Sequence, residues 1–340
     1  MTESLLGKNL SELKSIVIEL GLPQFVAKQI ADWLYKKKVC SIDEMTNLSK
    51  STRFQLSKKY KIGRVPPSHE VVSIDGTKKY LFQTNVGAVE TVYIPEADRA
   101  TVCVSSQVGC KMNCAFCMTG KQGFSGNLSL SEILNQIFSL PDSESLTNVV
   151  LMGMGEPFDN IDAVMGALDV LTSDWGCAWS PRRITVSTVG LIPGIRRFVV
   201  ESECHLAISL HHSFSENRLT MMPVERAYPL PKLFDELKHS NFKGQRRLSF
   251  EYIVFEGIND SIRHVRELIR LLKDFNCRVN LIRFHSIPGV EFRSPSMEKM
   301  EWFRDYLNEN GILCTIRRSR GEDIAAACGL LSTRKQRDEN

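Results

Sequence analysis

From residue 100 onward, segments typical of β-strands and segments typical of helices alternate six times. The strand-like segments are continuous apolar runs, and they read ATVCVSSQ, TNVVLMG, RRITVST, CHLAISL, LSFEYIVF and CRVNLIRF. Strands that are buried on both faces belong to parallel sheets covered by helices. Between the first two runs, Ser129 and Glu132 form a capping box ahead of an apolar helical face. The alternation predicts an α/β fold, an incomplete (β/α)6 barrel.

Polar and glycine residues recur where the predicted strands end. The second strand is followed by GMGEP at residues 153–157, and the other ends carry Ser187, Thr188, Ser209, Leu210, His211 and His285. In such folds, ligands bind at the carboxyl ends of the strands. We therefore expect a shared pocket at this rim, although GMGEP alone would equally fit a simple glycine turn before a helix.

The first predicted strand leads into VGCKMNCAFCMTG, which sets Cys110, Cys114 and Cys117 in a C-x3-C-x2-C array. Structural zinc requires four closed ligands, and this loop supplies three. Three small buried thiols are another interpretation, because free cysteine is common in protein cores. A cubane [4Fe-4S] cluster also takes four ligands, so three cysteines leave one iron open for chemistry. The spacing favours this last kind of centre.

The composition restricts the class of protein. The chain has 340 residues and is 43% hydrophobic, which is enough for a large core. It shows no export signal and no apolar run of membrane-spanning length. Ten cysteines then indicate metal-binding, redox or buried thiols rather than a disulfide framework. We expect a cytoplasmic protein without a membrane partner.

The basic charge lies mostly at the amino end. Residues 1–69 contain 12 Lys and Arg against 6 Asp and Glu, and their apolar residues follow helical spacing in two segments, with a third helix expected near residues 50–60. This composition predicts a basic helical accessory domain that binds RNA, although a solvated lysine face would look the same.

The rest of the chain divides into three predicted parts. Residues 70–95 alternate in the manner of hairpins, with a turn at Asp75 and Gly76, and form an extension or linker. Residues 96–320 form the barrel, and residues 321–340 form a tail. Glu90 lies in the last strand of the hairpins, where the pattern alone places a carboxylate on the solvent face.

Five stretches together resemble one branch of the radical S-adenosylmethionine (SAM) superfamily, the dual-specificity RNA methyltransferases. They are CVSSQVGCKMNCAFCMTGKQGF, LMGMGEP, STVGLIPGI, LAISLHH and RRSRGEDIAAACG. The resemblance implies a TIM-like radical SAM barrel in which Cys110, Cys114 and Cys117 hold a [4Fe-4S] cluster that chelates SAM. It also implies methylation of C2 of an adenosine in the peptidyl-transferase centre of 23S rRNA and of adenosine 37 in tRNAs. An electron donor protein of the flavodoxin or ferredoxin type would then be a partner.

The resemblance also assigns SAM contacts at the rim. In the superfamily, a glycine-rich stretch with a carboxylate holds the ammonium group of SAM, a role that falls here to Gly155 and Glu156. The other expected contacts are Ser187, Ser209, Leu210, His211 and His285. His285 departs from the family pattern N-P-F-P-G, which has asparagine at this position, but imidazole can also donate or accept one hydrogen bond.

Three further roles come from the resemblance alone. Cys328, in AAACG, matches a cysteine that is first methylated and then carries the methyl group to the base. Cys103 matches the resolving thiol, which releases the product through a transient disulfide with Cys328, and Glu90 matches the proton acceptor. By spacing alone, both cysteines would be interpreted as core thiols.

Two other functions stay open at this point. One is methylation of C8 of the same rRNA adenosine, which uses the same cluster and carrier cysteines. The other is a non-catalytic iron-sulfur or zinc module that binds RNA. The basic helical segment in front and the GKQGFSGNL stretch favour C2 methylation over the C8 reaction.

Overall fold

The computed structural model of the protein describes residues 2–240, 242 and 246–333. The bounds of its strands and helices, in chain order, are β1 (Glu3–Ser4), α1 (Leu10–Glu19), α2 (Phe25–Ala31), α3 (Lys50–Lys59), β2 (Tyr60–Lys61), β3 (His69–Val72), β4 (Lys78–Thr84), β5 (Gly87–Pro95), β6 (Ala100–Cys103), β7 (Gln107–Gly109), α4 (Met118–Gln122), β8 (Phe124–Asn127), α5 (Leu130–Phe138), β9 (Asn148–Leu151), α6 (Ile161–Thr172), β10 (Ile184–Thr188), α7 (Ile192–Glu201), β11 (His205–Ser209), α8 (Ser215–Met221), α9 (Leu230–His239), β12 (Leu248–Val254), α10 (Ile262–Leu272), β13 (Cys277–Arg283), α11 (Met297–Glu309) and β14 (Leu313–Ile316).

A ten-stranded sheet, counted over these residues, forms the centre of the molecule. Its order is β14-β13-β12-β11-β10-β9-β6-β5-β4-β3, and neighbours from β6 to β14 are parallel. The six predicted strands are β6, β9, β10, β11, β12 and β13, and they lie side by side in chain order. The prediction of a parallel barrel is confirmed, and β14 adds a seventh parallel strand that the sequence pattern did not indicate.

The burial of the strands explains their apolar composition. All seven residues of β12 are buried, because helices cover one face and the barrel interior lies on the other. Neighbouring strands pair in a continuous register; for example, along β10 and β11, Thr185 lies opposite His205 and Ser187 lies opposite Ala207. Alternate side chains of each strand therefore point into the barrel, and the strand ends meet at two rims.

Antiparallel strands extend the same sheet on its other side. β3, β4 and β5 form the predicted hairpins, and β5 pairs with β6, the first barrel strand. The turn before β4 is closed by Asp75, whose Oδ1 accepts the Thr77 amide at 2.9 Å, and Gly76 adopts φ 82°. The hairpins thus continue the barrel sheet.

The amino-terminal segment contains the three expected helices. Asn9 and Glu12 form a capping box at the start of α1, and the buried face of that helix includes Leu13, Ile16 and Val17. α2 runs into a π-helical turn at Asp32–Lys36, and α3 spans the third predicted position. β1 and β2 pair in parallel and close this segment on itself.

The domain boundaries at residues 69, 95 and 320 stay predictions. Residues 334–340 of the predicted tail lie outside the described residues. Across the described ranges, no helix is both long enough and apolar enough to cross a membrane.

Candidate active site

The cysteine loop leaves β7 at Gly109 and returns through α4 to β8. Gly109 has φ 76°, and a Cβ atom there would lie 1.7 Å from the carbonyl oxygen of Gly123. The same oxygen accepts the Cys110 amide at 2.9 Å, and further along the loop the Ala115 amide donates to the Met221 carbonyl at 2.9 Å. These backbone contacts hold the loop over the carboxyl ends of the barrel strands.

The three loop cysteines line one cavity of about 120 Å³. Burial raises the pKa of Cys110 to about 12 and holds that of Cys114 well above its ordinary value. Such thiols become thiolate ligands when a metal ion is close. Among the described residues, no three His, Cys, Asp or Glu side chains could together hold a metal ion. A cubane cluster binds each cysteine through a different iron, so its ligands need not converge on one point.

The GMGEP stretch lies directly against β7. Gly155 has φ 97°, and a Cβ atom there would lie 2.5 Å from the Cβ atom of Gln107. The Gln107 side chain in turn accepts the Glu156 amide at 2.9 Å. Only glycine permits this close approach, and the approach brings Glu156 to the cavity.

The Glu156 carboxylate is buried at the cavity wall. Its oxygens accept the Val189 amide at 2.9 Å and the Phe158 amide at 3.0 Å. Burial raises the pKa of Glu156 to about 7, while these hydrogen bonds and one from Thr188 act in the opposite direction. A cationic group bound beside it would favour the ionised form.

Ser187, Ser209 and His211 line the same cavity. The two serine Oγ atoms lie 3.4 Å apart. His211 adopts φ 54°, and its Nδ1 accepts the Ile253 amide at 3.0 Å. Burial lowers the pKa of His211 to about 3, so the ring is neutral and carries its proton on Nε2. The cavity therefore contains two hydroxyls and a fixed N–H donor.

A buried arginine ties these strand ends together. Arg218 is fully buried and donates to the carbonyl oxygens of Val189 at 2.7 Å, Ser209 at 3.0 Å and Leu210 at 3.0 Å, and it forms an ion pair with Glu225. Leu210 lines neither this cavity nor the next one, its amide donates to the Glu251 carbonyl at 3.0 Å and its carbonyl accepts from Arg218, so the structure does not bring it together with the other predicted SAM contacts.

A second cavity, of about 310 Å³, adjoins the first. Cys103 and Cys328 both line it, and Cys328 also lines the cavity of the cluster cysteines. His285 belongs to this second cavity, where its Nε2 lies 3.0 Å from the Ser319 hydroxyl and its Nδ1 lies 3.1 Å from Glu322. The structure thus does not bring His285 together with the other predicted SAM contacts.

Cys103 and Cys328, the two predicted reactive thiols, line the same cavity as Arg317. Arg317 lines both cavities, and its guanidinium lies 3.6 Å from the Glu251 carboxylate. Burial raises the pKa of Cys103 to about 12; the nearby Cys328 thiol raises it further, and Arg317 lowers it. The boundary between the cavities therefore holds two thiols, one guanidinium and one carboxylate.

Glu90 is 3% exposed, so its assignment to the solvent face by pattern was wrong. Its Oε1 pairs with Lys79 at 2.9 Å, and its Oε2 accepts the Ser332 amide at 2.8 Å. Burial raises its pKa, and the Lys79 charge acts against that effect. Glu90 lines neither cavity, because the tail residues up to Ser332 cover it.

Comparison with known proteins agrees with this geometry. The model of the ribosomal RNA large subunit methyltransferase N-terminal domain matches residues 3–62, and the model of the radical SAM superfamily matches residues 104–283. A probable dual-specificity RNA methyltransferase RlmN from Bacteroides fragilis is 59% identical over 99% of this chain and 98% of its own length. The RlmN of Geobacter sulfurreducens is 41% identical over 96% of this chain and 91% of its own.

One solved structure matches almost the whole molecule. A radical SAM methyltransferase from Sphaerobacter thermophilus superposes with a TM-score of 0.90 at 39% identity, covering 97% of this chain and 99% of its own. This chain belongs to the dual-specificity RNA methyltransferase RlmN family. It is a radical SAM RNA methyltransferase, and the family implies a [4Fe-4S] cluster and SAM.

The cavity residues fit both groups that the RlmN family implies. Cys110, Cys114 and Cys117 offer three sulfur donors. Glu251 lines the same cavity, and its buried Oε2, which lies 3.6 Å from Arg317, has no hydrogen-bond partner in the described part of the chain. SAM carries ammonium and hydroxyl donors that such an acceptor and Glu156 can bind.

Several residues of this RlmN-family site were not found by sequence reasoning. Lys79, Arg218 and Glu251 carry no local motif, and Arg317 belongs to the RRSRGEDIAAACG stretch, which gives it no role of its own. The sequence does not show that Lys79 meets Glu90 or that Glu251 meets Arg317. Glu251 gave one weak signal, because it is a charged residue within the mostly apolar stretch LSFEYIVF, where a partner is needed.

Proposed function

We propose that this RlmN-family enzyme methylates C2 of an adenosine in the peptidyl-transferase centre of 23S rRNA and of adenosine 37 in tRNAs. The observation that supports it is the shared cavity of Cys103 and Cys328, together with the position of Cys328 on the wall of the cluster cavity. C2 of adenine is not nucleophilic, so the methyl group must reach it through a carrier. A carrier thiol has to face both SAM and the base, and Cys328 lies between two cavities.

The cluster cavity serves SAM. Bound SAM supplies a methyl group and, after one-electron reduction through the cluster, a deoxyadenosyl radical. Cys110, Cys114 and Cys117 hold the cluster, and Glu156, beside Gly155, holds the ammonium group. Ser187, Ser209 and His211 bind the carboxylate and ribose.

The second cavity serves the base. Cys328 takes a methyl group from one SAM and loses its thiol proton. The radical from a second SAM then removes a hydrogen atom from this S-methyl group, and the carbon that has lost the hydrogen bonds to C2, so the RNA becomes attached to the protein. Glu90 takes the proton from C2, and the unpaired electron left on the adduct would return to the cluster. The Cys103 thiolate then attacks the Cys328 sulfur and breaks the sulfur–carbon bond; the released carbon takes up a proton to become the methyl group, and a disulfide remains. Because the tail covers Glu90, we infer that residues 331–333 move aside before the proton is transferred.

We also propose a cytoplasmic location and an electron donor of the flavodoxin or ferredoxin type. All ten cysteines are free thiols, as expected for a reducing compartment. Anaerobic assays with a reduced flavodoxin or ferredoxin as the only electron source test the donor. If the chain cleaved SAM with a chemical reductant but with neither reduced flavodoxin nor reduced ferredoxin, this part would be overturned.

Replacement of Cys103 by alanine tests the carrier mechanism. The Cys103→Ala chain, loaded anaerobically and given SAM and a 23S rRNA fragment, should accumulate a covalent protein-RNA adduct because the resolving thiol is missing. Cys328→Ala should give neither adduct nor methylated RNA. Cys314→Ala, which removes a thiol distant from both cavities, is the matched control and should turn over normally.

Mass spectrometry of the adduct and of the methylated nucleoside gives the readout. A methyl group on C2 of adenosine supports the proposal, and one on C8 would replace it with the related reaction. Repeated turnover by Cys103→Ala without adduct would remove the resolving role from Cys103. Methylation of rRNA fragments but not of tRNA would restrict the substrates.

A further inference from the structure

The larger cavity opens at the amino ends of the barrel strands. Thr101, Asn148 and Thr185 lie at or near the starts of β6, β9 and β10, and all three line it. The cluster cavity takes its residues from the other ends of the strands, such as Ser187 and Ser209. The larger cavity also contains Cys103 and His285 from the carboxyl ends, so the two cavities together extend from one rim of the barrel to the other, and Cys328 lines both.

Arginine dominates the charge of the amino-side opening. Six arginines line the cavity, against the single carboxylate of Glu96; they are Arg99, Arg182, Arg247, Arg317, Arg318 and Arg320. Three of the six have acidic neighbours: Arg99 pairs with Glu96, Arg317 lies near Glu251, and Arg320 lies 3.9 Å from Asp75.

The other three arginines are uncompensated. Arg182, Arg247 and Arg318 have no ion-pair partner within residues 2–240, 242 and 246–333, and all three are exposed at the cavity mouth. Each guanidinium offers a planar set of donors that matches a phosphate group. They come from three separate segments, and the fold alone brings them to one opening.

Besides burial, the positive charge of two of these arginines lowers the pKa of a neighbouring histidine. His205 lies at the start of β11, and its Nδ1 accepts the Arg247 amide at 2.9 Å. Burial lowers the pKa of His205 to about 4, and Arg247, Arg278 and Arg182 each lower it as well. Burial lowers the pKa of Arg247, and Arg278 lowers it further. Like charges held this close repel one another, and an anion bound between them would relieve the repulsion.

We propose that Arg182, Arg247 and Arg318 form a binding site for the phosphodiester backbone of the substrate RNA, beside the target adenosine. The base then enters the barrel from its amino side and reaches Cys328 opposite SAM. The cavity volume lies at the lower end of the range for small-molecule sites, about 300–1,000 Å³, so it has room for one base. This inference rests on the proposed function, since it requires an RNA substrate.

RNA binding by the full-length, cluster-loaded chain tests the site. The probe is a fluorescent hairpin with the sequence around the target adenosine, titrated at several salt concentrations. The double variant Arg182→Gln/Arg247→Gln should bind at least tenfold more weakly. Its slope of log K against log salt should fall by about 0.7 for each lost phosphate contact with single-stranded RNA.

Matched controls separate charge from position. Arg226→Gln/Arg266→Gln removes the same charge from exposed positions that do not line the cavity, and it should bind as the wild type does. Arg318→Gln alone, in the segment after β14, provides an independent variant should the double variant prove unstable. Iron content and melting temperature report on folding in every case.

The outcomes are distinguishable. Unchanged affinity and salt slope in both cavity variants would overturn this site while the wild type still methylates RNA. Cavity variants that lose affinity for inorganic phosphate but keep their affinity for the hairpin would indicate a phosphate-ion site and also overturn it. A wild-type chain that neither binds nor methylates the hairpin would overturn the proposed function itself.

Discussion

The Glu90 carboxylate depends on one lysine for its charge. Only 3% of Glu90 is exposed, and burial raises its pKa because the ionised form loses hydration. Lys79, at 2.9 Å, favours the ionised form, and the Ser332 amide donates to the same group. A general base acts only when it is ionised, so Lys79 positions the charge on which the proposed proton transfer depends.

Lys79→Met should therefore change the pH dependence of methylation. Without the lysine charge, the pKa of Glu90 rises further. When the pH is lowered, the variant should therefore lose activity at a higher pH than the wild type does. We expect a loss of roughly tenfold at pH 6 and a smaller loss at pH 9, since a protonated carboxyl group cannot accept the proton. Single-turnover methylation rates between pH 6 and pH 9 measure this.

Lys79→Arg is the control, because it keeps the charge and should keep the wild-type profile. An equal loss at every pH in Lys79→Met would mean that the lysine contributes to folding or binding and has no effect on the protonation of Glu90.

Individual residues differ in how far the sequence reveals them. Cys110, Cys114 and Cys117 were predictable because their chemistry lies in local spacing. Glu90 was misplaced because the covering tail is more than 200 residues away in the chain, so no window around it contains the cause of its burial.

The backbone of the cysteine loop leaves no room for a side chain at Gly109. Gly109 and Gly123 pass each other so closely that a Cβ atom on Gly109 would meet the Gly123 carbonyl oxygen at 1.7 Å. The Cys110 amide uses that same oxygen as its acceptor. Any side chain at position 109 therefore pushes apart the two strands that carry the loop.

Gly109→Ala should reduce cluster loading to less than half of the wild-type iron content. The left-handed backbone adds about 1–2 kcal/mol of strain, and the clash adds to it. Gly257→Ala is the matched control: Gly257 has φ 70°, but a Cβ atom there would have no neighbour within 4 Å. The Gly257→Ala variant should be less stable because of backbone strain only, and it should bind as much iron as the wild type does. Iron and sulfide analysis after anaerobic reconstitution decides, and equal loading of both variants would contradict the argument.

The strands show what periodicity can and cannot reveal. The six central strands were predictable because helices and the barrel interior bury both of their faces. β14 was missed because it lies at the sheet edge, where only Cys314 of its four residues is buried. A half-exposed strand of four residues has too few apolar positions to be distinguished from a loop.

At the scale of the whole molecule, the amino-terminal segment packs on α5 of the barrel and on the loop after α6, where the ring centroids of Tyr35 and Trp175 lie 5.8 Å apart. Tyr35 lies with its ring centroid 6.1 Å from that of Phe138, and the Asn135 side chain exchanges two hydrogen bonds with the backbone of Val65. Arg64 donates to the carbonyl oxygens of Lys38 and Phe138, one on each side of the contact. One guanidinium thus links the basic segment to the barrel.

Arg64→Met should separate the unfolding of these two parts. The change removes charged hydrogen bonds and leaves two carbonyl oxygens without this donor, which should lower the free energy of unfolding by about 2–3 kcal/mol. Because the loss falls on the contact, calorimetry should show the amino-terminal segment melting before the barrel. Arg53→Met is the control, since Arg53 donates to the Asp43 carbonyl within the segment and crosses no contact. If Arg64→Met melted in a single transition at the temperature of Arg53→Met, the guanidinium would not couple the two parts.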